Sequence, residues 1–184
     1  MLAKSILDRL STEPPWVFVT NSFGAIVAME IARIHPEVVH ALIISGCPGL
    51  KDYSPIPKNT RKLTLTDCAK IADSLFYDKA HISDSLIDAT FKSLQQPGRM
   101  REFVRCLKIA KTYGVALAVE QLACPVLLAW GEHDLLTPFE PWKAVVGTRP
   151  NTTVQLISNS GHSPMIEQPV AFASAVSEFL NSFQ

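Results

Sequence analysis

The first candidate for chemistry is a serine set between two apolar stretches, in Val19-Thr20-Asn21-Ser22-Phe23-Gly24-Ala25. On a tight strand-to-helix turn, a serine Oγ is lifted clear of the backbone at the C-terminal edge of a sheet. The helix that follows aims its first N–H groups at the same point. A serine hydroxyl is a poor nucleophile at neutral pH. It needs a base within hydrogen-bond reach, and the base needs a carboxylate to orient it. Two later loops offer both, Gly131-Glu132-His133-Asp134 and Gly161-His162-Ser163-Pro164. A plainer role for Ser22 is that of a helix N-cap, and taken alone the serine fits either.

The elements around these residues must bring them to one place. Residues 2–10 read as a short amphipathic helix with Leu2, Ile6 and Leu10 on one stripe, stopped by Glu13-Pro14-Pro15. Trp16 to Thr20 is a nearly continuous apolar run, the pattern of a strand buried on both faces of a parallel sheet. A deeply packed helix follows from Ser22 to Ile34, ended by His35-Pro36. A second apolar strand covers Val39 to Ser45. Residues 47–122 are more polar and read as helices over 66–77, 83–95 and 97–121, an inserted helical cap between two parts of the core, 1–46 and 123–184. Pro48, Pro55, Pro57 and Pro97 punctuate it. Sheet character returns at Pro125 to Trp130 and again from Thr153 to Ile157. Between them a helix is expected over 138–147, with Thr137-Pro138-Phe139-Glu140 as its capping box. The last helix runs from Pro169 to Phe183 and turns Phe172, Val176, Phe179 and Leu180 inward. Strands alternating with helices give a single α/β domain with a mostly parallel sheet. Asp134 and His162 each follow a strand, so both fall at the same sheet edge as Ser22.

Three motifs in order, Thr20-Asn21-Ser22-Phe23-Gly24, PVLLAWGEHDLLTP at 125–138 and SGHSPMIEQP at 160–169, resemble the α/β-hydrolase superfamily. The order Ser, Asp, His is that family's order. The resemblance makes Ser22 the nucleophile, His162 the general base and then acid, Asp134 the orienting acid and the Phe23 backbone N–H one oxyanion donor. One departure stands out. The family pattern is G-x-S-x-G and this chain has Thr20 at the first position, where strand and helix nearly touch. Other residues compete for the roles. Glu132 shares the acid loop, and His133 adjoins Asp134, although neighbouring side chains diverge. Cys47 follows the second strand but has Pro48 where a nucleophile needs a turn into a helix. His35, His40 and His81 show no partner pattern and read as surface or helix-end residues.

The family sheet begins with several strands ahead of the nucleophile strand, and here only the segment to Pro15 precedes it. The fold class expected is therefore a truncated α/β-hydrolase fold, without the loop that supplies the second oxyanion N–H. Losing one such donor costs roughly 3 kcal/mol of transition-state stabilisation. The strand 16–20 would also lack a neighbour on one side, and an unpaired apolar edge invites docking. A homodimer, a partner chain or a rearranged helix 2–10 is expected to cover it.

The 184 residues fit one domain, and 47% hydrophobic with 18% charged residues suit a globular protein with a sizeable core. A net charge of +0 gives no global attraction to nucleic acid or to an anionic membrane. No dinucleotide or phosphate-loop motif and no metal-ligand spacing occurs, so no cofactor is expected. The four cysteines, Cys47, Cys68, Cys106 and Cys124, are spaced as free thiols of a cytoplasmic protein. Two functions follow. One is a serine hydrolase acting on a small to medium apolar ester, or on a related acyl or carbon–carbon bond, with Ile71, Leu75, Phe76, Ile87 and Phe91 of the cap either facing the substrate or packing the cap. The other is a non-catalytic or partner-dependent binding module.

Overall fold

The computed structural model describes residues 2–10, 13–54, 63–147 and 149–183. Four strands form one parallel sheet in the order β1 (Trp16–Asn21), β2 (Val39–Ser45), β3 (Val126–Gly131) and β4 (Thr152–Ile157). Because all four run the same way, Ser22, Asp134 and His162 leave one edge of the sheet, each at or just beyond the C-terminal end of a strand.

The two faces carry separate apolar clusters. On one face Leu42, Ile44, Val126, Leu128 and Trp130 meet helix α2 (Phe23–Ile34) through Ala25, Ile26, Met29 and Ala32. On the other, Ala41, Ile43, Leu127 and Ala129 meet Phe172 and Phe179 of the last helix, Pro169–Asn181. Val176 and Leu180 pack against that cluster while only half-buried. β2 and β3 are thus covered on both sides, which is why both read as unbroken apolar runs.

β1 is different. Its sequence is as apolar, but Val17 and Val19 are 38% and 55% exposed. The last helix runs against β3 and β4 and does not bury Val17 or Val19, and among the described residues no strand pairs with the other side of β1. The expectation of a strand buried on both faces fails here for want of a second layer. The N-terminal helix α1 (Leu2–Leu7) packs on α2, with Ile6 and Leu7 against the first cluster.

Between β2 and β3 lie α3 (Leu65–Leu75), α4 (Asp84–Gln95), α5 (Arg99–Thr112) and α6 (Val115–Glu120). Pro55 and Pro57 fall outside the described residues. The single helix expected over 97–121 is two, parted by an extended Tyr113 and Gly114. The break lets α6 turn Val115 and Val119 into the cluster under α2. α3 and α4 pack on each other. Ahead of β4 comes α7 (Glu140–Val146). A single turn that the sequence does not announce, α8 (Pro164–Glu167), follows His162 and precedes the last helix, α9.

Candidate active site

Ser22 directly follows β1 with φ 54° and ψ −129°. For a residue with a Cβ this backbone is strained by about 1–3 kcal/mol, and it persists only where the surroundings impose it. Here the Ser22 N–H donates to Ser45 O at 2.9 Å, extending the ladder one residue past the strand. The Ser22 hydroxyl caps no helical N–H, so the N-cap role is not the one its side chain plays. Phe23 opens α2, whose first N–H groups have no acceptor within the helix.

Thr20 fits because its hydroxyl has a use. Its Oγ donates to Ile43 O on β2 at 2.9 Å. A Cβ on Gly24 would stand 4.0 Å from Thr20 Cβ, an ordinary contact, so strand and helix leave room for a β-branched residue at position 20.

Asp134 is 5% exposed, whereas Glu132 and His133 beside it are exposed. Oδ1 of Asp134 accepts the N–H groups of Leu136 (2.9 Å) and Thr137 (3.0 Å). Oδ2 accepts the Thr137 hydroxyl at 2.7 Å and faces His162 Nδ1 at 2.9 Å. The expected capping box of α7 is therefore absent. Thr137 gives its hydroxyl to Asp134, and α7 begins after Phe139 with no side-chain cap. The Thr137 carbonyl in turn accepts Trp130 Nε1–H at 2.8 Å.

His162 is 3% exposed. With Asp134 acting as acceptor, Nδ1 carries the proton and Nε2 is left as the basic nitrogen. The ring lies against Gly46 at the end of β2, where a Cβ would come within 2.7 Å of Cε1. Asn21, the residue before the serine, donates through Nδ2 to His162 O at 2.9 Å and to Ser45 O at 3.3 Å. The main chain of the histidine is thus tied to the serine strand. On its other side the His162 N–H donates to Leu75 O at 2.9 Å. The loops carrying Asp134 and His162 touch backbone to backbone. His133 N–H donates to Ser160 O at 2.9 Å, and a Cβ on Gly131 would overlap the Gly161 carbonyl.

The remaining candidates fall away from this centre. The ring of His133 stacks on Tyr77, with centroids 4.1 Å apart. Cys47 is fully buried, and burial pushes its thiol well above the usual range, opposite to what a nucleophile needs. Cys68 and Cys124 are also buried free thiols and Cys106 is half-buried. His35 ends α2, His40 is exposed and His81 closes a short turn, stacked on Phe76. Three contributors escape a reading by residue type. Asn21, Thr137 and Glu167 look like turn, cap and surface residues, and although each lies inside one of the three motifs, its residue type does not show what it holds.

An imidazole held by a carboxylate, at the sheet edge where Ser22 takes its turn, supplies the parts that serine-nucleophile chemistry requires. Among the described residues no group of three His, Cys, Asp or Glu side chains could hold a metal ion. No described helix is long and apolar enough to cross a membrane.

Comparison with known proteins places this geometry. The model of the alpha/beta hydrolase family matches residues 2–175. A 2-hydroxy-6-oxononadienedioate/2-hydroxy-6-oxononatrienedioate hydrolase of Pseudomonas sp is 25% identical over 190 residues, covering 97% of this chain and 67% of that protein. A 2-hydroxymuconate semialdehyde hydrolase of Pseudomonas putida is 25% identical, covering 97% and 66%. The chain spans about two thirds of the length of these relatives. Among solved structures, a meta-cleavage product hydrolase of Pseudomonas fluorescens IP01 superposes with a TM-score of 0.80 at 21% identity, over 97% of this chain and 69% of that one. The parallel sheet, the strained serine turn and the match over residues 2–175 agree: the chain belongs to the α/β-hydrolase family.

Proposed function

We propose that this protein is a serine hydrolase in which Ser22 is the nucleophile, His162 the base and then the acid, Asp134 the acid that orients it and Phe23 N–H one oxyanion donor. The reading is carried by the buried His162 Nδ1–Asp134 Oδ2 contact of 2.9 Å, set at the sheet edge where Ser22 takes its strained turn. Ser22 Oγ attacks a carbonyl and gives its proton to His162 Nε2. The tetrahedral oxyanion collapses, the leaving group departs with that proton, and an acyl-enzyme remains. Water, deprotonated by His162, then releases the acid and restores the serine.

The substrate is a small to medium apolar carbonyl compound. With an ester the bond broken is C–O. With a ketone it is C–C, and the leaving carbon takes the proton. The relatives named above act on 2-hydroxy-6-oxo acids and a muconate semialdehyde, which favours the carbon–carbon variant. Fluorophosphonate labelling of the purified chain tests the nucleophile. Labelling is expected on Ser22 and lost in Ser22→Ala, and a folded wild-type sample that takes no label would end the reading. A panel of p-nitrophenyl esters and 2-hydroxy-6-oxodienoates then separates the two bond types.

A second reading rests on the exposure of Val17 and Val19 on a strand that, among the described residues, pairs with one strand only. A binding module, or an enzyme active only once a second copy or another chain covers β1, would use this surface. Labelling that rises steeply with protein concentration, or only on adding a partner, would favour it.

A further inference from the structure

Glu167 is a charged residue on a one-turn helix, and it is only 7% exposed. Its carboxylate collects three backbone N–H groups from two parts of the chain. Oε1 accepts Gly161 N–H at 2.6 Å, on the residue just before the base. Oε2 accepts Tyr77 N–H at 2.7 Å and Asp78 N–H at 3.0 Å, just beyond α3. Among the described residues no cation pairs with it, so these N–H groups are what replaces water around the buried carboxylate.

The same two segments meet in other ways. His162 N–H donates to Leu75 O at 2.9 Å. Gly161 lies so close that a Cβ would sit 2.9 Å from Tyr77 N and 3.0 Å from Leu75 O. Tyr77 stacks on His133 of the acid loop. The stretch 75–78, at the end of the first helix between β2 and β3, is thus held by both loops that flank the imidazole. Oε1 reaches the base loop and Oε2 reaches the helical insertion, so one side chain joins them.

We propose that Glu167 is a positioning residue for His162: it locks the loop carrying the base to Leu75–Asp78, so the imidazole is aligned only while that stretch is seated. This rests on His162 being the base. A base displaced by a fraction of an ångström transfers protons poorly, and displacements of about 1 Å can cost a hundredfold in rate. Substrate binding, which does not use the imidazole as a base, should be spared.

The variant of choice is Glu167→Gln. Its single carbonyl oxygen can serve Gly161 or the Tyr77–Asp78 pair but not both, and its NH2 group then faces N–H donors. In the full chain, fluorophosphonate inactivation is measured as a maximal rate and an apparent binding constant, beside amide hydrogen exchange at Gly161, His162, Tyr77 and Asp78. The expected result is a maximal rate lower by about tenfold, a binding constant within about twofold of wild type, and faster exchange at all four amides together. A folded Glu167→Gln protein with a wild-type maximal rate would overturn the proposal. So would a rate loss matched by the loss of folded protein on thermal melting, which marks a purely structural role. If Glu167→Gln does not fold, Glu167→Asp, which keeps the charge but draws it back by one methylene, is judged by the same criteria. If the wild-type serine takes no label, the functional reading has failed, and exchange alone decides the lock. Joint acceleration of the base-loop and 75–78 amides supports it, and independent behaviour overturns it.

Discussion

At the scale of single residues, the backbone of Ser22 makes a prediction independent of catalysis. Ser22→Ala keeps a Cβ at φ 54° and keeps the strain, whereas Ser22→Gly removes it. Neither variant can act as a nucleophile, but Ser22→Gly should be the more stable of the two by about 1 kcal/mol in denaturant unfolding. Equal stabilities would mean that the turn is relaxed. Thr137 supports Asp134 rather than a helix. Thr137→Val should keep the volume yet lower the maximal inactivation rate by about tenfold, one lost hydrogen bond to a charged group, with Thr137→Ser restoring most of it. Such residues explain what a reader of the sequence can and cannot see. Ser22, Asp134 and His162 stand out because each follows a strand inside one of the three motifs, in the order Ser, Asp, His. Thr137 precedes a proline and a helix, and its hydroxyl could either accept a helical N–H or donate to a carboxylate. Only the folded position of Asp134 decides between them. Glu167 is hidden for a related reason: a carboxylate is ordinarily solvated, and its three donors come from residues as far as 90 positions away.

At the scale of elements, the break between α5 and α6 is the clearest departure from pattern. No proline marks it. It is fixed by packing, because a straight helix could not carry Val115 and Val119 under α2. Tyr113, at the break, donates its hydroxyl to Glu30 Oε2 on α2 at 3.1 Å. Tyr113→Phe should therefore loosen this junction by about 1 kcal/mol. The pH dependence has a definite sign. Arg33, first through its hydrogen bond, holds the Glu30 carboxyl below its usual range against the opposing effect of burial, and Tyr113 adds to the lowering. The contribution is present above the ordinary carboxylate range and fades as pH falls through the depressed value. Wild type and Tyr113→Phe should thus differ in stability at neutral pH and converge in acid. A gap that widens in acid would contradict this account. The strands were legible because β2 and β3 are buried on both faces. β1 has the same composition, and its sequence could not show that one face lacks cover.

At the scale of the whole molecule, cover and access decide behaviour. The thiols give one check. Burial raises Cys47 and Cys124, and both are shielded, whereas Cys106 is half-buried. Alkylation of the native protein at mild alkaline pH should therefore begin at Cys106 and reach Cys47 only on unfolding. Early modification of Cys47 would show that the core beneath the serine turn opens readily. The β1 surface gives another. Val19→Lys places a charge on the exposed face and should reduce concentration-dependent association in sedimentation without lowering the melting temperature. A wild-type chain that stays monomeric and soluble at high concentration would show that β1 needs no cover.

Gly131 and Gly161 leave no space between the chains that carry Asp134 and His162. A methyl group at Gly131 would have to push the two apart, so Gly131→Ala should cost about 3 kcal/mol. The consequence reaches past stability. Two strands of a rope laid in contact cannot be respliced one at a time. A chimaera that borrows the segment around Asp134 from a relative will have to borrow the segment around His162 with it. An exchange of the helices between β2 and β3 would likewise have to keep Leu75–Asp78, which the His162 segment holds by its backbone.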